Sequence, residues 1–119
     1  MQYKGTGGQM RRAEIRMHEV TAGLLTQDEN GYNFLYDKKY LESENPEPVS
    51  LTFPLSELTY NSKVLFPFFD GLIPEGWLLH IAEKNWKLNP RDRMGLLLAC
   101  CRDCIGAVTV HPVKEEDQV

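Results

Sequence analysis

The residues in this chain whose types best suit chemistry are three clustered cysteines, Cys100, Cys101 and Cys104. Cys101 and Cys104 form a C-x-x-C pair, a spacing that thiol redox proteins use at a helix N-terminus, where the helix dipole stabilises the thiolate. Here the pair follows a predicted helix, so the negative end of the dipole would disfavour the thiolate. The position of the pair therefore argues against a redox function.

A zinc site is the second chemical possibility for this cluster. Cys100, Cys101, Cys104 and His111 could supply four ligands, but the sequence lacks the second closely spaced ligand pair that structural zinc sites carry. We interpret the cysteines as small apolar core residues. A thiol-dependent or zinc-dependent activity of Cys101 and Cys104 is kept as the enzymatic alternative.

The histidines and carboxylates do not form a recognisable catalytic set. His18, His80 and His111 lie far apart in the sequence, and nothing local places a nucleophile beside any of them. Asp70 and Glu75 flank a glycine-to-proline turn, where carboxylates serve turn and helix-start geometry. The sequence therefore predicts a protein without catalytic, cofactor-binding or metal-binding residues.

An aromatic cluster is the strongest candidate for a binding site. It consists of Phe66, Phe68, Phe69 and Trp77. Rings that straddle a turn and a helix flank are difficult to bury together, so we expect Phe66 and Phe69 in the core. We expect Trp77 to contact a partner, because tryptophan is enriched at interface hot spots. The residues predicted to bind a partner are Phe68, Asp70, Gly71, Glu75, Trp77 and His80.

Composition and charge exclude several functional classes. The chain has 119 residues, 42% of them hydrophobic and 25% charged, which is ordinary for one globular domain. A net charge of −4 disfavours direct nucleic-acid binding, because phosphate contacts need a positive surface. No apolar run approaches the roughly 20 residues of a membrane span, and no secretory signal begins the chain. Cysteines without a disulfide framework indicate a reducing, cytoplasmic location.

Alternation of apolar and polar residues predicts strands in the first half of the chain. An Asp-Glu-Asn-Gly segment at Asp28–Gly31 is a hairpin signal between two of them. The predicted strands in this half are Ala13–His18, Ala22–Thr26, Tyr32–Tyr36 and Val49–Phe53, with loops at Glu42–Pro48 and Ser56–Lys63. A further strand is predicted near the C-terminus at Gly106–Val110.

Two helices are predicted before the last strand. One starts at Pro74, and the other has Asn89 as N-cap, Pro90 at the first helical position and Asp92 at the third. Helical spacing predicts burial of Met94, Leu97, Leu98 and Cys101.

The order β-β-β-β-α-α-β indicates an α+β domain, in which two helices pack on a small, mostly antiparallel sheet of about five strands. Residues 1–12 are expected to form a flexible leader, residues 13–112 the domain, and residues 113–119 a disordered acidic tail.

Two segments resemble motifs of the HipA family's N-terminal subdomain. The segment FFDGLIPEG at residues 68–76 is similar to FF-x-x-LLPEG, and DCIGAV at residues 103–108 is similar to the family's DCIGAV motif. Earlier segments agree with the same family: Gly23-Leu24, Phe34-x-Tyr36-Asp37, Tyr40-Leu41, and Val49-Ser50-Leu51 leading to Phe53-Pro54-Leu55. The resemblance runs from about Ala13 to Pro112.

This resemblance implies a function. HipA-like proteins are bacterial Ser/Thr kinase toxins of toxin–antitoxin modules, and their N-terminal subdomain packs against a core that carries the catalytic residues. The sequence resembles the stand-alone form, HipS, which acts as antitoxin by docking on a separate kinase core, HipT. A helix-turn-helix repressor, HipB, is a further implied partner in the same complex.

The implied function is thus a non-catalytic protein-binding module that restrains a HipA-like kinase. The alternative within the family is a structural N-terminal lobe that completes or activates a split kinase.

Overall fold

The computed structural model describes residues 10–77, 91–102 and 107–113. Within them, one antiparallel sheet has the strand order β4-β3-β2-β1-β5. Its strands are β1 (Arg11–Met17), β2 (Val20–Asp28), β3 (Gly31–Tyr36), β4 (Tyr60–Ser62) and β5 (Val108–Val113), and the helices are α1 (Lys38–Leu41), α2 (Pro67–Asp70) and α3 (Arg93–Cys100). The predicted α+β class with an antiparallel sheet is confirmed.

The predicted fourth strand at Val49–Phe53 is wrong, because these residues form turns, and β4 lies instead in the segment predicted as the following loop. The hydrogen bonds explain the difference. The Tyr36 hydroxyl accepts from the Val49 N–H at 3.0 Å and donates to the Phe53 carbonyl, while the Phe53 N–H bonds to the Ser50 carbonyl at 3.0 Å. A phenol and a local turn thus satisfy polar groups that a strand would pair in a ladder.

Two short hairpins connect the first three strands. The predicted turn at Asp28–Gly31 is confirmed: the Asn30 N–H bonds to the Asp28 carboxylate at 2.8 Å, and Gly31 has a φ of +132°. The β1–β2 turn consists of His18 and Glu19, whose φ values of +51° and +69° are those of a type I′ turn. Neither is a glycine or asparagine, so the residue types carry no signal for this turn.

The sheet has two different faces, because side chains alternate along each strand. One face is covered by α2 and α3 and forms the core. Its fully buried large side chains are Phe34, Phe69, Ile15, Leu25, Met94, Leu96, Leu97, Val110 and Cys101. The predicted burial of Met94, Leu97 and Cys101 is confirmed, whereas Leu98 is half-buried. The opposite face carries the cross-strand row of Glu14, Leu24 and Leu35.

The outer edge of β5 offers few donors to another strand. Val110 lies opposite Ile15 of β1, and its N–H points outward to the Cys101 carbonyl at 2.9 Å. Two residues further along, on the same outward register, Pro112 has no N–H. This edge is therefore protected against strand addition.

The predicted N-cap of the last helix is wrong. Helix α3 begins at Arg93, and its N-cap is Asp92, whose carboxylate accepts from the Gly95 N–H at 3.1 Å. The predicted cap, Asn89, and Pro90 lie outside the described residues.

An ion pair explains why Asp92 is the cap. Strand β1 begins at Arg11, two residues before the predicted start, and its guanidinium donates two hydrogen bonds to the Asp92 carboxylate at 2.6 and 2.9 Å. A third bond holds the guanidinium on Gln27 at 2.7 Å. The hydrogen bonds from Arg11 hold the pKa of Asp92 below its ordinary value, against the opposing effect of partial burial. One bidentate pair thus connects the first strand to the last helix.

We expect Tyr36→Phe to lower the free energy of unfolding by about 1–3 kcal/mol, since it removes the partner of a buried N–H and a buried carbonyl. Chemical denaturation measures the change. Tyr60→Phe is the matched control, because the Tyr60 hydroxyl bonds to the Pro54 carbonyl at 2.6 Å in an exposed position. Equal losses in the two variants would contradict the role assigned to Tyr36.

We expect Asp92→Ala to lower the free energy of unfolding by about 1–3 kcal/mol, and Asp92→Asn by less, because asparagine is also a good N-cap. The lowered pKa means that the charge of Asp92 stabilises the fold above its unfolded pKa of about 4. This stabilisation is lost as pH falls through the folded pKa. The difference in stability between the wild type and Asp92→Asn should therefore shrink on acidification, and a difference that stays constant would refute the ion-pair account.

Candidate partner-binding surface

Residues 66–77, here called the aromatic turn, contain most of the predicted partner-binding residues. The segment begins with helix α2, which has Pro67 in its first turn. At the end of this helix the Gly71 N–H donates a hydrogen bond to the Pro67 carbonyl at 2.9 Å. Consecutive turns follow, with the Ile73 N–H on the Asp70 carbonyl at 3.2 Å and the Trp77 N–H on the Pro74 carbonyl at 3.1 Å. The segment is therefore ordered by its own backbone hydrogen bonds.

The aromatic rings of this segment divide between core and surface. Phe66 and Phe69 are buried, which confirms the prediction for both. Phe53, which the sequence placed in a strand, is the centre of the cluster. Its ring centroid lies 5.0 to 6.2 Å from those of Phe34, Tyr60, Phe66, Phe68 and Phe69.

Phe68 is half-buried and lies beside a groove. Its ring meets the rings of Phe69 at 5.1 Å and Phe53 at 6.2 Å, both edge-on. The groove has a volume of about 420 Å³ and is lined by Ser50, Thr52, Phe53, Tyr60, Asn61, Phe66, Pro67 and Phe68. Such an aromatic lining suits an apolar side chain.

Asp70 is occupied within the chain. Its carboxylate accepts a hydrogen bond from the Arg93 Nε at 2.6 Å, and both side chains are about two-fifths exposed. A pair this exposed contributes at most about 1 kcal/mol. Its geometric effect is to attach the aromatic turn to the first residue of α3. The predicted contact of Asp70 with a partner stays a prediction.

The remaining predicted site residues are Gly71, Glu75, Trp77 and His80. Gly71 and Glu75 are exposed, and Trp77 is half-buried, packed against the core cluster. Among the described residues, none has an atom within 4 Å of a Cβ added at Gly76, the residue before Trp77. His80 lies outside the described residues.

The described cysteines have packing roles. Cys100 and Cys101 are buried, as predicted, and Cys101 follows the last residue of α3. The Cys101 thiol lies 3.3 Å from the Leu72 carbonyl of the aromatic turn. Cys104 lies outside the described residues, and among those described no three His, Cys, Asp or Glu side chains are grouped as metal ligands would be.

A second concave surface, here called the open-face groove, lies on the sheet face away from α2 and α3. Its volume is 590 Å³. The side chains that give it an apolar floor are Leu24, Leu35, Leu41 and Val113. The prediction from sequence missed this surface. Its signal is the adjacent apolar pairs Leu24-Leu25 and Phe34-Leu35, which break strict alternation and make both sheet faces apolar.

Carboxylates border the open-face groove. Glu14, Asp37 and Glu57 contribute negative charge, and Lys38 contributes one positive charge. Glu14 is held by Arg16 at 3.1 Å and by the Thr21 hydroxyl. The hydrogen bond from Arg16 lowers the pKa of Glu14, so this carboxylate stays ionised at neutral pH.

Comparison with known proteins assigns the fold to a family. The HipA N-terminal domain family matches residues 13–111. A solved structure described as the N-terminal domain of HipA toxin superposes with a TM-score of 0.68 at 28% identity, covering 88% of this chain and 94% of that chain. The chain therefore belongs to the HipA N-terminal domain family.

The curated relatives are of two lengths. An uncharacterised protein of Haemophilus influenzae is 31% identical over 106 residues, covering 89% of this chain and 96% of that protein. Two proteins of Sinorhizobium fredii, the putative kinases Y4dM and Y4mE, are 32% and 30% identical, with 87% and 79% of this chain matched. This chain spans only 27% and 23% of those two kinases. In the described ranges, no helix combines the length and the apolar character of a membrane span.

Proposed function

We propose that this protein is a non-catalytic cytoplasmic module that docks on a HipA-like Ser/Thr kinase core and restrains its activity, as an antitoxin does. A helix-turn-helix repressor of the HipB type is a further proposed member of the same complex.

The observation that carries this proposal is the way the family distributes its domains. The same domain occupies about a quarter of two putative kinases, while it makes up nearly all of the short Haemophilus influenzae relative. Interfaces between domains of one chain resemble those between separate proteins, so a domain that is part of a kinase in some proteins can dock on a kinase core as a separate chain. This supports docking of a separate domain on a separate kinase core.

The aromatic turn supports the proposal through its geometry. Trp77 is half-buried against the core, and no atom of the described residues lies within 4 Å of a Cβ added at the adjacent Gly76, an arrangement that suits an interface anchor. Phe68 and its groove provide a neighbouring apolar contact. We assign Glu75 and Gly71 to the polar rim, and Asp70 to positioning of the turn through Arg93. His80 remains a proposed contact from the sequence.

Two alternatives are distinguishable. The domain could complete and activate a split kinase rather than restrain it, since it is part of the polypeptide in the longer relatives. A thiol-dependent or zinc-dependent activity is the alternative of another class. Complete burial of Cys101 disfavours it, and zinc analysis with thiol titration of the purified protein tests it.

We expect Trp77→Ala to weaken binding to a purified HipA-like kinase core by about 2 kcal/mol, or roughly thirtyfold in Kd, because an anchor leaves its pocket empty. Isothermal titration measures the change. Val20→Ala is the control for loss of an exposed apolar side chain, since Val20 is 55% exposed on the β1–β2 hairpin.

Because Trp77 also packs on the core, the thermal midpoint of the Trp77→Ala variant must be measured together with its affinity. Trp77→Phe serves as a variant that keeps an aromatic ring. A folded Trp77→Ala variant with wild-type affinity would remove Trp77 from the interface.

We expect co-expression of this protein with the kinase core to restore the growth that the kinase alone suppresses. Growth curves under separate inducible promoters give the readout, with Trp77→Ala as the variant of reduced rescue. Stronger growth arrest on co-expression would instead establish the activating lobe.

A further inference from the structure

We propose that the open-face groove is the main docking surface for the kinase core, and that it receives an apolar segment of that core with a basic flank. This inference rests on the proposed function and specifies which surface performs it.

The floor of the open-face groove is apolar. Leu24 and Leu35 lie directly opposite each other on β2 and β3, and Leu35 is 40% exposed. Leu41 of α1 and Val113 of β5 also contribute to this apolar floor. An apolar groove on the outer face of a sheet can receive an apolar side chain of another macromolecule.

The end of the last strand lies beside the open-face groove. Val113, the last residue of β5, lines the groove itself. The family is defined as an N-terminal domain, so in the longer kinases the rest of the chain follows the C-terminal strand. In those kinases the polypeptide that follows this strand therefore leaves the domain beside the groove. The position occupied by the kinase body in the fused proteins is thus the position we assign to a separate core.

Charge and hydrogen bonding disfavour other occupants. The rim carries Glu14, Asp37 and Glu57 against Lys38, and Glu14 is paired with Arg16. The excess of one negative charge favours a partner with basic residues beside its apolar ones. Residues 114–119 of this chain, KEEDQV, are mainly acidic in sequence and do not complement that rim. Strand addition to β5 is disfavoured by Pro112 and by the engaged Val110 N–H, so the partner covers the face rather than extends the edge.

The groove and the aromatic turn are on opposite faces of the sheet, because Leu35 and Phe34 alternate along β3 and Phe34 packs on Phe69 of α2. A kinase core that reaches both surfaces must contact the protein from two opposite sides, and the shortest dimension of the protein is 27 Å. Contacts so far apart should act independently, so their effects on binding should add.

The test introduces a charge into the groove floor with Leu35→Lys. We expect Kd for the same purified HipA-like kinase core to rise by about tenfold or more, since the lysine would lie against the apolar segment. Asn33→Lys is the matched control: it adds the same charge on the same strand and face, two residues away and outside the groove. Its Kd should stay within about twofold of the wild type. Circular dichroism and thermal midpoints establish that both variants fold.

The outcomes separate the possibilities. Wild-type protein that fails to bind the kinase core would refute the proposed function itself. Binding that is weakened by Trp77→Ala but not by Leu35→Lys would refute only the groove assignment.

Three further results would assign the groove to another occupant and overturn the inference. They are loss of self-association in Leu35→Lys, measured by analytical ultracentrifugation; loss of repressor binding without loss of kinase binding; and a gain in kinase affinity of about tenfold when the chain is ended at Val113.

Discussion

The aromatic cluster around Phe53 and Phe69 is the packing constraint on which the rest of the structure depends. Phe69 is fully buried against Phe34 of the sheet and against Phe53, which fixes the side of α2 that faces the core. Because neighbouring residues on a helix point about 100° apart, burial of Phe69 directs Phe68 toward the surface. The shape of the proposed binding surface is thus a consequence of core packing.

Helix α3 is attached at both of its own ends to the β1–β5 side of the sheet. At its start, Asp92 is held by Arg11 of β1, and at its end the Cys101 carbonyl accepts from Val110 of β5. The same helix holds the aromatic turn through Arg93 and through the contact of the Cys101 thiol with Leu72. A surface fixed at several points loses little conformational entropy on binding, which favours recognition of a partner by a small domain.

The two surfaces differ in how they fit the proposed function. The open-face groove is broad, apolar and adjacent to the end of β5, which suits permanent attachment of a kinase core. The aromatic turn presents a tryptophan and a half-buried phenylalanine beside a smaller groove, which suits insertion into a cleft. In this proposal attachment and restraint are separable properties of one domain. Fused relatives would retain the first whether or not they use the second.

The sequence by itself determined the α+β class, the Asp28–Gly31 hairpin and the burial of Phe66, Phe69 and Cys101, because alternation, turn residues and helical spacing are local properties. Only the tertiary structure decided the pairing of Arg11 with Asp92, 81 residues apart, which moved the helix cap. Likewise, only the folded chain placed the Tyr36 hydroxyl between Val49 and Phe53 and so replaced a predicted strand by turns. The open-face groove also required three dimensions, because its floor is assembled from β2, β3, α1 and β5, and no local pattern specifies which distant segments will become neighbours.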